Sequence, residues 1–240
     1  MHQYFVNEPL EVGKEYFFTK EQAHHIKNVL HMSQDTVRLV YQNQAYFGVV
    51  QYRNNDVYAL VNEKDTRVNE PRCKITLAIA LIRKEKFELV LQKATELGVS
   101  KIVPFESSRC VVHSKKEKKD KQKLRWESII LEASEQCKRN AVPELSDVVS
   151  FKELKNYQSI GNYACYENAY GNAQFLSNIA KNDDSITVVI GPEGGFSNEE
   201  VKQLEEMGYT SITLGSRILR AETAAMYVCA VLSENSEANQ

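Results

Sequence analysis

From Lys74 to Leu81 the chain reads KITLAIAL, an almost unbroken apolar run suited to a strand covered on both faces, as the strands of parallel sheets are. Phe87, Val90, Leu91, Ala94 and Leu97 then recur at helical spacing, Gly98 stands where a helix stop belongs, and Lys101–Phe105 (KIVPF) reads as the next strand. Strand, helix and strand in this order make a βαβ unit. The pattern continues with a longer helix from about Asp120 to Lys138, strands at Asn162–Tyr166, Ile186–Ile190 and Ser211–Leu214 with helical segments between them, and a last helix from Ala221 to about Ser233. Such alternation predicts an α/β domain with a parallel sheet and helices on both faces.

The first 70 residues have a different period. Short β-rich runs at Thr36–Val40, Ala45–Gln51 and Val57–Val61 are separated by polar turns such as Arg53-Asn54-Asn55-Asp56. One helix interrupts them, starting at Thr19 with Gln22 as its capping-box partner and turning Ala23, Ile26, Val29 and Leu30 inward. The polar stretch Asn62–Arg72 reads as a linker. The expected division is therefore a small, mainly β unit over residues 1–70 and an α/β domain over 71–240.

Composition narrows the class. With 42% hydrophobic and 26% charged residues the chain has globular proportions, and no run approaches the roughly 18 apolar residues of a membrane span. The N-terminus MHQYFVNEPL lacks the charged-then-apolar pattern of a leader, so a cytoplasmic location is expected. The five cysteines are scattered and contain no C-x-x-C pair, and His24 and His25 are adjacent and diverge on a helix, so no metal site is expected. A net charge of −2 argues against a protein that coats nucleic acid through its overall field. Locally, His113–Arg125 carries seven Lys and Arg against Glu117 and Asp120, which fits either a solvated face or a phosphate-binding patch.

Two segments point to chemistry. Ile186–Glu200 (ITVVIGPEGGFSNEE) is a β-branched strand, a glycine-rich turn and a helix opened by Ser197 with Glu200 in capping-box position. Ligands in open α/β sheets bind beyond the carboxyl ends of strands, where glycine lets the backbone approach them closely. Neither nucleotide-phosphate fingerprint is present, and Glu193 would repel phosphate while suiting a ligand with positive charge or amino and hydroxyl donors, such as S-adenosylmethionine. A plain tight turn also fits a lone G-P-x-G-G. Ile212–Ala225 (ITLGSRILRAETAA) repeats the design: a short strand, a glycine turn, then Arg217, Arg220, Glu222 and Thr223 ahead of an apolar helix. Arg220 and Glu222 either face a substrate from an irregular loop or form a surface ion pair.

Five blocks give the sequence a specific resemblance: Lys93-Ala94-Thr95-Glu96-Leu97-Gly98-Val99; Arg125-Trp126; Glu135-Gln136-Cys137-Lys138-Arg139-Asn140 with Val142-Pro143; Gly191-Pro192-Glu193-Gly194-Gly195; and Leu214 through Ala224. In these the chain is similar to the ribosomal RNA small-subunit methyltransferase E family of the SPOUT superfamily. Its N-terminal block, His24-His25-Ile26 with Val29-Leu30-His31-Met32, matches less well, with His31 where the family usually has arginine.

The resemblance implies a PUA-like RNA-binding β-barrel over residues 1–70 and, over 71–240, a SPOUT domain whose parallel sheet is flanked by helices and whose chain forms a trefoil knot. It also implies a homodimer and S-adenosylmethionine as methyl donor. The cofactor residues would be Ile190, Gly191, Pro192, Glu193, Gly194, Gly195, Leu214, Gly215, Ile218 and Leu219, and the catalytic ones Arg220 and Glu222. Lys86, Arg109, Gln136, Arg139, Lys115 and Lys116 are the RNA-binding candidates. The substrate implied is N3 of one uridine in the decoding region of 16S ribosomal RNA, presented by the assembled small subunit. That nitrogen carries a proton, so methylation needs proton removal or stabilisation of the emerging anion, the roles assigned to Arg220 and Glu222. Two rivals stay open: a methyltransferase of the same fold acting on transfer RNA, and a non-enzymatic ribosome-assembly factor.

Overall fold

A computed structural model describes residues 1–113, 119–169, 171, 175–176 and 183–237. The chain divides into two units, Met1–Glu70 with Ser134–Ala141, and Pro71–Ala133 with Val142–Gln240. The second unit is thus interrupted, where an unbroken 71–240 was expected.

The first unit is a five-stranded sheet of order β1-β3-β4-β5-β2, formed by β1 (His2–Phe5), β2 (Glu15–Phe17), β3 (Thr36–Tyr41), β4 (Gln44–Arg53) and β5 (Asp56–Asp65). Its pairs are antiparallel except that β1 runs parallel to β3. The two-residue β3–β4 turn places Gln42 at φ 44° and Asn43 at φ 68°, the left-handed pair that a right-twisted hairpin requires. α1 (Lys20–His24) opens with the expected capping box between Thr19 and Gln22 and continues as one π-helical turn, His25–Val29, which sinks Ile26 into the core. β1 and β2 escaped the sequence pattern because they are too short to show a period.

β5 extends through Asp65, so the first part of the expected linker is strand. The reason is a buried polar network. Arg38, fully enclosed, donates to Asp65 at 2.8 Å, to Gln3 Oε1 at 2.6 Å, to Asn140 Oδ1 at 3.0 Å and to the Lys138 carbonyl at 3.1 Å. Gln3 Nε2 donates to the Arg139 carbonyl, and Glu70 holds both the Arg139 guanidinium and the Asn140 N–H. Residues 134–141 thus complete the first unit by satisfying groups it would otherwise bury unpaired.

The second unit carries an all-parallel seven-stranded sheet of order β12-β10-β11-β6-β7-β8, with β9 also paired to β7. Its strands are β6 (Lys74–Ala80), β7 (Lys101–Glu106), β8 (Glu144–Leu145), β9 (Val149–Ser150), β10 (Gly161–Cys165), β11 (Ser185–Ile190) and β12 (Thr210–Ile212). The helices are α2 (Lys84–Glu96), α3 (Lys119–Gln136, entering the first unit at Ser134), α4 (Asn198–Glu206) and α5 (Ala221–Glu237). Ile75, Leu77 and Ile79 on one face and Ala78 and Ala80 on the other are fully buried, as expected for a strand covered on both faces, and Gly98 ends α2 at φ 84°. Trp126 of α3 packs on Phe87 of α2 with ring centroids 4.5 Å apart.

Sequence order in the sheet reverses at β6. β7 lies on one side, while β11, β10 and β12 lie on the other, and a crevice opens at such a switch beyond the carboxyl ends of the strands.

Candidate functional site

Beyond the carboxyl ends of β10, β11 and β12 lies a cleft of about 560 Å³, a size that accommodates a nucleoside-sized ligand. Three consecutive strand ends build it. β10 contributes Cys165, Tyr166 and Glu167; β11 contributes Ile190, Gly191, Pro192, Glu193, Gly195 and Phe196; and β12 contributes Thr213, Leu214, Gly215, Arg217, Ile218, Leu219 and Arg220. Arg83 and Lys86 at the start of α2 and Ala221 and Ala224 of α5 complete the wall with Val111.

Backbone chemistry explains why these loops are open. The Gly191–Gly195 turn closes on itself through Gly195 N–H donating to the Pro192 carbonyl at 2.9 Å. Gly195 is left-handed at φ 66°, and a Cβ there would meet the Glu167 carboxylate. Gly215 at φ 115° likewise needs glycine, although nothing crowds it. Glu193 is not free: its Oε1 accepts from the N–H of Arg83, 3.2 Å away at the start of α2.

Nine of the ten residues expected around a cofactor line this cleft, and Gly194 is the exception. It stands behind the wall, where a Cβ would come within 3.1 Å of Arg109 Cβ and 3.3 Å of its carbonyl oxygen. Arg220 lines the cleft and is exposed, while Glu222 lies just off the wall and is buried. One Glu222 oxygen meets Lys86 Nζ at 3.1 Å; the other is enclosed without a hydrogen-bond partner among the described residues. Lys86, expected to bind RNA, is therefore part of the cleft and the partner of a catalytic candidate.

The remaining RNA-binding candidates are dispersed. Arg109 turns its guanidinium to the glycine turn, donating from Nη1 to the Gly194 and Phe196 carbonyls, each at 3.2 Å. Gln136 is exposed and Arg139 is buried against Glu70, and both belong to the first unit. Arg139, expected as an RNA contact, is enclosed here with its guanidinium paired to Glu70. Lys115 and Lys116 lie outside the described residues.

Arg83, Glu167 and Tyr166 were missed because the turns after β6 and β10 carry no glycine signature; the rule that ligands sit at strand ends would have found them. Cys165 also lines the cleft, and burial pushes its thiol well above the usual range, which favours the protonated thiol. Buried Cys229 is similarly pushed up to about 12. Among the described residues no group of three His, Cys, Asp or Glu side chains could hold a metal ion, and no helix is long and apolar enough to cross a membrane.

Residues 69–233 match a family described as RNA methyltransferase domain. The chain is 36% identical to ribosomal RNA small subunit methyltransferase E of Mesomycoplasma hyopneumoniae, over 95% of this chain and 97% of that protein. It is 33% identical to the Bacillus subtilis protein of that name, over 99% and 98%. Among solved structures it is similar to a ribosomal RNA small subunit methyltransferase E from Neisseria gonorrhoeae bound to S-adenosyl methionine, with TM-score 0.89 and 28% identity over 98% and 97% of the two chains. A methyltransferase from Legionella pneumophila in complex with the same cofactor gives TM-score 0.86 and 29% identity over 97% and 96%.

Proposed function

Because this chain belongs to the ribosomal RNA small subunit methyltransferase E family, we propose that it transfers a methyl group from S-adenosylmethionine to N3 of a uridine in 16S ribosomal RNA. The observation that carries this reading is the cleft at the ends of β10, β11 and β12, walled by two glycine turns and by apolar side chains among charged ones.

The residues present fit the cofactor. Ile190, Leu214, Ile218 and Leu219 offer apolar surface for an adenine ring, the backbone of the two glycine turns offers hydrogen bonds, and Glu167 and Glu193 bring negative charge toward amino, hydroxyl and sulfonium groups. When bound, S-adenosylmethionine supplies an electrophilic methyl group.

The chain's own side chains have two tasks. Arg220, exposed on the rim and without an ion pair among the described residues, is placed to stabilise negative charge spreading onto the uridine carbonyl oxygens as the N3–H bond breaks. Glu222, with Lys86 on one oxygen and the other unpartnered, accepts the departing proton or orients the base that loses it. Arg83, Lys86, Arg217 and Arg220 outnumber Glu167 and Glu193 on the wall, a charge balance that suits an RNA phosphate backbone.

The reading extends to a cytoplasmic homodimer acting on the small subunit, with the first unit as a PUA-like RNA-binding domain. Support for pairing comes from α5, which leaves Tyr227 and Ala230 exposed and Met226 and Val231 half-buried; Cys229, expected on that face, is fully buried in the core.

Tritiated methyl transfer tests the proposal, with small subunits, naked ribosomal RNA and transfer RNA taken from cells lacking the enzyme. Label recovered as 3-methyluridine from small subunits is the expected outcome. Label chiefly in transfer RNA, or as a ribose methyl, overturns the substrate assignment.

A further inference from the structure

We propose that Arg109 is a positioning residue of the cofactor turn, clamped from behind by Glu200, and not an RNA contact. The proposal rests on the reading that the cleft binds S-adenosylmethionine.

The argument begins with peptide geometry. A planar trans peptide points its C=O and the following N–H to opposite sides, so fixing one fixes the other. Arg109 Nη1 draws the Gly194 and Phe196 carbonyls toward itself, each at 3.2 Å. The opposite ends of the same two peptides are also held: Gly195 N–H donates to the Pro192 carbonyl, closing the turn, and Ser197 N–H donates to Glu200 Oε2, both at 2.9 Å. Both peptide planes of the turn are thereby gripped at both ends.

Glu200 closes the circuit. Its other oxygen, Oε1, accepts from the Ser107 hydroxyl at 2.9 Å and from Ser108 N–H at 2.8 Å, the residues leading directly to Arg109. One buried carboxylate therefore anchors the start of α4 with one oxygen and the Arg109-bearing loop with the other. Burial opposes its ionisation, but the hydrogen bonds from Ser197, Ser108 and Ser107 outweigh that and hold the carboxyl below its usual range. Gly194 belongs to the same device, since a Cβ there would lie 3.1 Å from Arg109 Cβ and 3.3 Å from its carbonyl oxygen and push that loop back by a few tenths of an ångström. The front of this turn, Gly191 through Glu193 and Gly195, is cleft wall, so the brace sets the surface that a cofactor meets.

An RNA contact would put the Arg109 charge against phosphate; a brace spends it on two carbonyl oxygens. The test combines calorimetry with S-adenosylmethionine, methyl transfer at saturating cofactor, RNA binding across a salt series, and thermal melting, on wild type, Arg109→Ala, Arg109→Lys and Gly194→Ala. Arg109→Ala is expected to weaken cofactor binding about tenfold, or 1.4 kcal/mol. Turnover at saturation should stay within about twofold, and the salt slope of RNA binding should not change. Arg109→Lys should recover most of the affinity because a single nitrogen makes both bonds, and Gly194→Ala, by displacing Arg109, should reproduce the loss in a chain that keeps its arginine. Cofactor affinity unchanged in both Arg109→Ala and Gly194→Ala, or an RNA salt slope reduced by Arg109→Ala, overturns the proposal. Wild-type protein that takes up no S-adenosylmethionine would instead remove the reading beneath it.

Discussion

Replacing Lys86 by Met should destabilise the protein through a residue it leaves untouched, Glu222. The two groups are 3.1 Å apart, with side-chain exposures of 29% for Lys86 and 11% for Glu222. At an effective dielectric constant of about 20, their gross attraction is about 5 kcal/mol, most of it offset by the desolvation of both ions. Removing only the cation leaves an enclosed carboxylate whose second oxygen already lacks a partner among the described residues. Fully buried pairs lose about 3–5 kcal/mol on such a change. Because nearly a third of Lys86 meets water, a loss of about 2 kcal/mol is expected, equivalent to a melting temperature lower by about 4–8 °C for a chain of this size. Glu222→Gln alone should cost less than about 1 kcal/mol, since the freed ammonium can turn to solvent, and the double variant should recover most of the Lys86→Met loss. The assay is a double-mutant cycle by denaturant and thermal unfolding, with a coupling of about 1–2 kcal/mol expected. A Lys86→Met protein as stable as wild type would refute the reasoning, because Glu222 would then not depend on this cation.

Arg220→Ala should lower turnover by about 10²–10³ while leaving S-adenosylmethionine affinity unchanged; the reverse pattern in single-turnover and calorimetric measurements would make Arg220 a cofactor ligand. Gly215→Val forces a β-branched residue to φ 115°, so a strain of about 1–3 kcal/mol should appear as weaker cofactor binding by calorimetry. Asp65 is held well below the usual carboxylate range by hydrogen bonds from Arg67, and from Arg38, against the opposing effect of burial. Its contribution is complete above the unfolded pKa of about 4 and is lost as pH falls through the depressed folded value, so Asp65→Asn should flatten the acid limb of a stability–pH curve. Replacing Lys115, Lys116, Lys118 and Lys119 together should weaken RNA binding and flatten its salt dependence without altering cofactor affinity.

What was legible in the sequence follows the strength of local signals. Both capping boxes, the apolar strand β6, the hairpin strands and the glycine turns depend on neighbours in sequence, and the structure has them where the pattern put them, to within a few residues. Strand order was not legible, because nothing near Thr210–Ile212 says that it will lie beside β10 and not beside β11. The cleft wall was read only where glycine advertised it, so Arg83 and Glu167 went unseen. The blocks behind the family resemblance mix two kinds of residue. Thr95, whose buried hydroxyl bonds the Leu91 carbonyl, and Gly98, packed on Pro71, serve the fold, whereas Gly191 and Leu214 face the cleft. Arg139 was read from its family block alone, and neither its burial nor its partner Glu70, 69 positions away in the chain, could be seen there.

The eight residues Ser134–Ala141 give the chain an order of events during its synthesis. The first 70 residues leave the ribosome with Arg38 and Gln3 lacking the Lys138, Arg139 and Asn140 groups they will bury against. At translation rates of roughly 5–20 residues per second, those partners arrive some four to fourteen seconds later. The N-terminal unit therefore cannot finish folding until residues 134–141 have emerged, well after its own first 70. A gene fusion that borrows residues 1–70 alone would carry a permanent version of that waiting state.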